Sequence, residues 1–199
     1  MILPNPDDPF RSVMYADIRD WLAHWAKNHP PSARIAEVSG RFLEWHFGTP
    51  GLVENFDYPD FDVTDTMEVA PQSGRYFRYD LVMLDQVLEH VDQPGDALEN
   101  VYQMLKEGGW VILTTPFGFP LHDVETGDYW RFTGQGLRKL LDVCNFNDVT
   151  IKSWGNYKAT VAALDWQEWR REHIGTVPNG WEKNDPKFPV VYWAYGRKV

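Results

Sequence analysis

The sequence predicts an α/β fold on a doubly wound, mostly parallel sheet, and three observations carry that reading. Apolar segments of strand length alternate with segments of helical period along most of the chain. One of them, Leu81-Val82-Met83-Leu84, is apolar without alternation, as strands covered on both faces are. With 199 residues, 43% apolar and 15% aromatic, the chain has material for one core.

Met14, Ile18, Trp21, Leu22 and Trp25 recur at helical spacing, predicting a helix over 12–27 with Ser12 as N-cap. Pro30 and Pro31 end it, so residues 1–32 read as an N-terminal helical region of one domain, 1–199. A strand over 33–38 follows, then an irregular stretch from Ser39 to Gly51, and a second strand near 52–56. Only thirteen residues separate Val38 from Leu52, close to the shortest parallel crossover, so a full-length helix is not expected there. Residues 57–65 carry four aspartates among aromatics. A helix is expected over 93–106, with Pro94 in its first turn and Gly108-Gly109 at its end, then a strand over 110–115.

A polar and aromatic segment, 116–132, precedes a helix capped by Thr133, with Leu137, Leu140, Leu141 and Cys144 as its stripe. The last strands are expected over 149–153 and 190–195. Between them an insertion, 154–187, holds Trp154, Trp166, Trp169 and Trp181, with a short helix over 161–171, and reads as a substrate lid or a homodimer surface.

Composition excludes several functions. Nineteen basic against 29 acidic side chains give a formal charge of -10, which does not advertise the basic face that nucleic acid needs. The apolar stretches are short and MILPNPDDPF has no basic segment followed by an apolar core, so neither a membrane span nor a secretory signal is expected, and the cytoplasm is the expected location. The single cysteine, Cys144, makes neither an intramolecular disulfide nor a thiolate zinc cluster, and reads as a packing residue.

Ligands of open parallel sheets sit beyond the carboxyl ends of the strands. That selects Glu37, Ser39 and Gly40 after the first strand, Asp57 and Tyr58 after the second, Asp85, Gln86, Glu89 and His90 after the third, and Pro116, Phe117 and His122 after the fourth. A carboxylate at the position of Asp57 suits a ribose diol, because its two oxygens accept two hydroxyl protons. A solvated turn shared with Asp60 and Asp62 explains it equally well.

The run YDLVMLDQVLEHVDQPGDALENVYQMLKEGGWVILTTPF, Tyr79 to Phe117, resembles the middle of the class I S-adenosylmethionine-dependent methyltransferases of small-molecule type. The resemblance continues through DYWRFT and GLRKLL and covers most of residues 33–153. It implies a Rossmann-like sheet of seven strands with the last antiparallel, helices on both faces, S-adenosylmethionine across the first half, and an acceptor pocket from the second half. It also implies that Glu37 opens the cofactor loop with Ser39 and Gly40, that Asp57 and Tyr58 meet the ribose, that Asp62 and Val63 lie near the adenine, and that Asp85 and Gln86 face the cofactor and incoming substrate. The family's acid-x-Gly-x-Gly-x-Gly pattern would run over Glu37, Ser39, Arg41 and Leu43, and only the off-register Gly40 is glycine.

His122 is the candidate general base; His90 has a structural hydrogen bond as its stronger reading and a base as its weaker one. Phe117, Tyr129, Trp130, Arg131 and Trp154 are candidates for the acceptor pocket, an apolar wall with a cationic end, although pairing of Arg131 with Asp128 is the blander reading. His122 with Asp123, Glu125 and Asp128 offers cation ligands but reads better as a solvated acidic loop, and no metal is assigned. The expected activity is methyl transfer from S-adenosylmethionine to an oxygen or nitrogen of a small molecule, a sugar or secondary metabolite. A non-catalytic relative acting through a protein partner is the alternative, and a nicotinamide oxidoreductase a weaker one, since Gly-x-Gly-x-x-Gly is absent after the first strand.

Overall fold

The computed structural model describes residues 10–49, 51–65, 78–122, 127–165 and 183–199. Helix α1 (Ser12–Lys27) leads into β1 (Ile35–Val38), α2 (Phe42–Phe47), β2 (Val53–Phe56) and β3 (Tyr79–Asp85). Then follow α3 (Pro94–Met104), β4 (Leu105–Pro116), α4 (Gly134–Val143), β5 (Asn147–Trp154), α5 (Tyr157–Leu164) and β6 (Val191–Arg197).

The strands form one sheet in the order β2-β1-β3-β4-β6-β5. β1 pairs in parallel with β2 and β3, and β3 with β4, while β6 runs antiparallel to both β4 and β5. The antiparallel last strand is as expected; the described residues hold six strands.

Alternation along the strands separates two apolar clusters. Val82 and Leu84 of β3 join Ala97, Leu98 and Val101 of α3 and Leu137 and Leu141 of α4. Leu81 and Met83 join Met14, Ile18 and Leu22 of α1, Phe42 and Leu43 of α2, and Ala159 of α5. A sheet so enclosed has a fully buried central strand, which is why 81–84 is apolar throughout.

Local chemistry explains most boundaries. The Thr133 side chain accepts the Gly136 N–H at 3.1 Å, the expected cap. Ser12 is the first residue of α1 and not its cap: Arg11 holds that position without a side-chain capping bond. α2 is six residues long, as the short crossover requires. The glycines at 108 and 109 do not stop a helix in a loop, because β4 begins at Leu105 directly after α3 and both lie within it. α5 starts earlier than expected, since the Asn156 side chain caps it by accepting the Ala159 N–H. Trp166, Trp169 and Trp181 lie outside the described residues. Among those described, no helix is long and apolar enough to cross a membrane.

Candidate active site

Register assembles the site. Val38 lies beside Phe56 on one flank and Leu84 on the other, and Asp85 lies beside Thr114. Ser39, Asp57 and Asp85, each one step further along, therefore share the carboxyl edge of the sheet.

Glu37 is fully buried on β1. Its Oε1 accepts the Phe42 N–H and its Oε2 the Leu43 N–H, both at 2.8 Å, satisfying donors of α2 that the Arg41 cap leaves open. Burial, then the neighbouring Asp85 carboxylate, pushes Glu37 up to about 8 against those two bonds. A Cβ on Gly40 would lie 2.4 Å from Glu37 Oε1 and 3.1 Å from Asp85 Cβ, so the loop passes too close to both acids for any side chain there. Ser39 (φ 61°) and Gln86 (φ 57°) hold left-handed backbone just after β1 and β3, placing strain at the strand tips.

Asp57 faces Arg41. The two guanidinium terminal nitrogens bond both carboxylate oxygens, and Arg41 Nε lies 3.8 Å from Glu44. Arg41 thus stands where the family pattern has glycine and neutralises the acid expected to hold ribose.

Asp85 is buried and already partnered. Tyr15 of α1 donates its hydroxyl at 2.9 and 3.2 Å, and Thr114 Oγ1 donates at 2.6 Å. Thr114 Oγ1 in turn accepts from Gln86 N at 3.0 Å and Nε2 at 2.9 Å, while Gln86 Oε1 is buried without a hydrogen-bond partner. Burial raises the Asp85 carboxyl, and burial with Asp85 raises the Tyr15 phenol. The Tyr15 ring stacks on Phe42 at 4.6 Å, so α1 packs on the start of α2, next to the loop after β1. Tyr15 and Thr114 escaped sequence reasoning; Tyr15 sits beside Met14 on the helical stripe, but nothing local marks its hydroxyl as a partner of a residue 70 positions away.

The LEHV and DYWRFT motifs bond to one another. His90 Nδ1 lies 2.6 Å from Gly127 O, the Tyr129 N–H donates to Glu89 O at 2.7 Å, and Trp130 Nε1–H donates to Val91 O at 2.9 Å. His90 so makes the structural bond expected of it. Its ring meets His122 edge-on at 5.2 Å. His122 Nδ1 lies 3.3 Å from Asp128 Oδ2, and burial lowers the imidazole pKa despite that acid. Arg131 spends its guanidinium on both Asp128 oxygens and on Pro120 O, the pairing that was the blander reading. Tyr129 and Trp130 are exposed, and Phe117 meets Tyr192 edge-on at 5.5 Å.

Three further expected positions lie beyond the tip of β2. Asp62 Oδ1 accepts from Thr64 N at 2.8 Å and Oγ1 at 2.7 Å, closing a turn. Val63 is buried in the core and Tyr58 is exposed. Trp154, at the end of β5, is buried among core residues, where its register sets it beside the buried Val191 of β6. Asp123 and Glu125 lie outside the described residues.

A family model described as a methyltransferase domain matches residues 7–175. "Probable polyketide synthase 6" of Dictyostelium discoideum is 30% identical over 99 residues, 42% of this chain and 3% of that protein. The "Ubiquinone biosynthesis O-methyltransferase" of Nitrosomonas europaea is 31% identical over 64 residues, 32% of this chain and 26% of that protein. The chain thus spans about a quarter or less of the length of these curated relatives. The crystal structure of a SAM-dependent methyltransferase from Archaeoglobus fulgidus shares the fold, with a TM-score of 0.54 at 14% identity over 92% of this chain and 94% of that one.

Proposed function

The chain belongs to the methyltransferase-domain family, the class I enzymes its sequence resembles, and from that premise we propose that it moves a methyl group from S-adenosylmethionine to an oxygen or nitrogen of a small molecule. The observation that carries the proposal is the row of Ser39, Asp57 and Asp85 on one sheet edge, above a loop that Glu37 ties down.

These residues fit the cofactor. Asp57 is the diol acceptor, the buried and unpartnered Gln86 Oε1 awaits a donor, and the loop at Gly40 runs close to both acids. Glu37, Ser39 and Gly40 shape the loop, Tyr58 flanks the ribose, and Asp62 and Val63 form the turn on the adenine side. Bound S-adenosylmethionine supplies an electrophilic methyl carbon on its sulfonium.

The chain's own work is alignment, exclusion of water and proton handling. Tyr15 and α1 cover the cofactor loop. Phe117, Tyr129 and Trp130 form the acceptor wall, and Arg131 holds Asp128 in place beneath it. His122, kept neutral by burial, accepts the proton of an acceptor hydroxyl, and His90 orients the 127–132 segment. A sugar or secondary metabolite matches the aromatic wall, and insertion 154–187 serves as a lid or homodimer surface. The two apolar clusters support helices on both sheet faces, a seventh strand completes the family pattern, and the cytoplasm is the proposed location.

Calorimetric titration with S-adenosylmethionine and its demethylated product tests the proposal. Saturable binding of both is expected, and failure of a folded chain to bind either refutes it.

A further inference from the structure

Glu89 is fully buried, and neither of its carboxylate oxygens has a hydrogen-bond partner. An unpartnered buried carboxylate is costly, and native proteins leave few such groups without a purpose. Burial and the nearby Asp85 push its carboxyl up to about 8, and its own backbone N–H and the charges of Arg11 and Arg131 offset them only in part. What faces it instead is a pair of imidazoles: one ligand atom from each of Glu89, His90 and His122 lies within 4.8 Å of the other two.

The imidazoles are arranged as ligands are. His90 Nδ1 is engaged by the Gly127 carbonyl, which fixes the proton on that nitrogen and leaves Nε2 as a lone pair, 3.9 Å from Glu89 Oε1. His122 Nδ1 lies 3.3 Å from Asp128, whose own position Arg131 holds. A metal-bound histidine nearly always has a carbonyl or carboxylate at its second ring nitrogen; here His90 has the Gly127 carbonyl within hydrogen-bond distance and His122 has the Asp128 carboxylate at ion-pair distance. Ligand atoms around a tetrahedral ion with bonds near 2.1 Å stand about 3.4 Å apart, so small side-chain rotations close the triangle.

We infer that Glu89, His90 and His122 bind one divalent transition-metal ion of zinc type, with a coordination position left open. Two imidazoles with one carboxylate is a donor set such ions accept, whereas magnesium prefers an all-oxygen shell. The loop residues Asp123 and Glu125, weighed as cation ligands in the sequence, lie outside the described residues. What the ion does rests on the methyl-transfer reading: its open position takes the acceptor oxygen and lowers that oxygen's pKa, so that the hydroxyl proton leaves to water instead of to His122.

The test is titration of the tag-free, chelator-stripped chain with Co²⁺, followed by visible absorption and equilibrium dialysis. One ion per chain is expected, displaced by Zn²⁺. Glu89→Gln and His122→Asn should each weaken uptake by at least about tenfold, the loss that even an outer-shell partner costs. His46→Ala, on α2, should leave it unchanged. Circular dichroism confirms that each variant is folded. No saturable uptake by the parent, or uptake that survives both ligand substitutions, overturns the inference. S-adenosylmethionine binding is measured separately on the stripped chain, so failure of the metal site and failure of the methyl-transfer reading are distinct results.

Discussion

The guanidinium of Arg41 closes on both carboxylate oxygens of Asp57, joining the loop after β1 to the tip of β2. An arginine in a loop that glycines usually form would be expected to obstruct a cofactor. Here its side chain leaves along the loop to the next strand, and the close approach of backbone is supplied by Gly40 alone. The consequence is that any diol must share Asp57 with a cation.

Removing the cation should therefore help. The pair is partly exposed, with about a quarter of each side chain open to solvent, and such pairs are worth about 1 kcal/mol or less. Arg41→Ala is expected to tighten S-adenosylmethionine binding by up to about fivefold in calorimetry. Weaker binding would mean that the guanidinium itself belongs to the cofactor site.

Asp57→Ala should do the reverse. Loss of charge-assisted bonds of about 1.5 to 3 kcal/mol lowers affinity by roughly ten- to hundredfold, and Asp57→Asn less, since one acceptor oxygen remains. The exposed Asp60 nearby is the control, and its replacement should change affinity little. A folded Asp57→Ala chain that binds as the parent does would remove the ribose assignment.

Tyr15→Phe leaves the ring stacked on Phe42 but takes a donor from the buried Asp85. Stability is expected to fall by about 1 to 3 kcal/mol, the cost of a buried acceptor left short of a partner. Urea unfolding of parent and variant measures it. A difference near zero would show that Thr114 alone satisfies the acid.

What the sequence made legible was periodicity and position. The apolar run at 81–84 announced a buried strand, Thr133 a cap, and the thirteen residues after Val38 a stunted helix, because each rests on local spacing. Asp85 was legible as a strand-tip residue, yet its bond to Tyr15 spans 70 positions and follows from how α1 packs. Arg41 reads as an obstruction in one dimension and as an ion pair once β1 and β2 are side by side. Trp154 resembles its neighbours in the insertion, and only the register of β5 with β6 turns it into the core. The link between LEHV and DYWRFT was out of reach for the same reason: backbone carbonyls carry much of it, and they have no sequence signature.

Trp130 tests the proposed acceptor wall separately from the proposed cofactor site. The residue is 41% exposed; its ring donates one hydrogen bond to Val91 O and stacks on the half-buried Phe132 at 6.0 Å, so truncation leaves the buried core residues in place. Trp130→Ala is expected to reduce turnover severalfold or more while cofactor affinity stays within about twofold; the lost bond costs about 1 kcal/mol of stability. Equal losses in turnover and cofactor binding would instead assign Trp130 to the scaffold.

Glu37 makes stability depend on pH in an unusual direction. Its folded pKa of about 8 lies above its ordinary value of 4.5, because burial and the Asp85 charge outweigh the two N–H bonds from α2. Between those values the folded chain holds a proton that the unfolded chain has released, so the Glu37 contribution to stability falls as pH rises from about 4.5 to about 8 and is level outside that window. Glu37→Gln cannot titrate. The variant loses stability at every pH, since its amide nitrogen faces one of the two backbone donors, but the gap between parent and variant should narrow toward alkaline pH. A change on the order of a few kcal/mol is expected between pH 5 and pH 9. Denaturant unfolding at both pH values, with Asp85 present in both chains, isolates the effect. A gap that stays constant or widens with pH would mean that the N–H pair wins and that Glu37 is a carboxylate throughout.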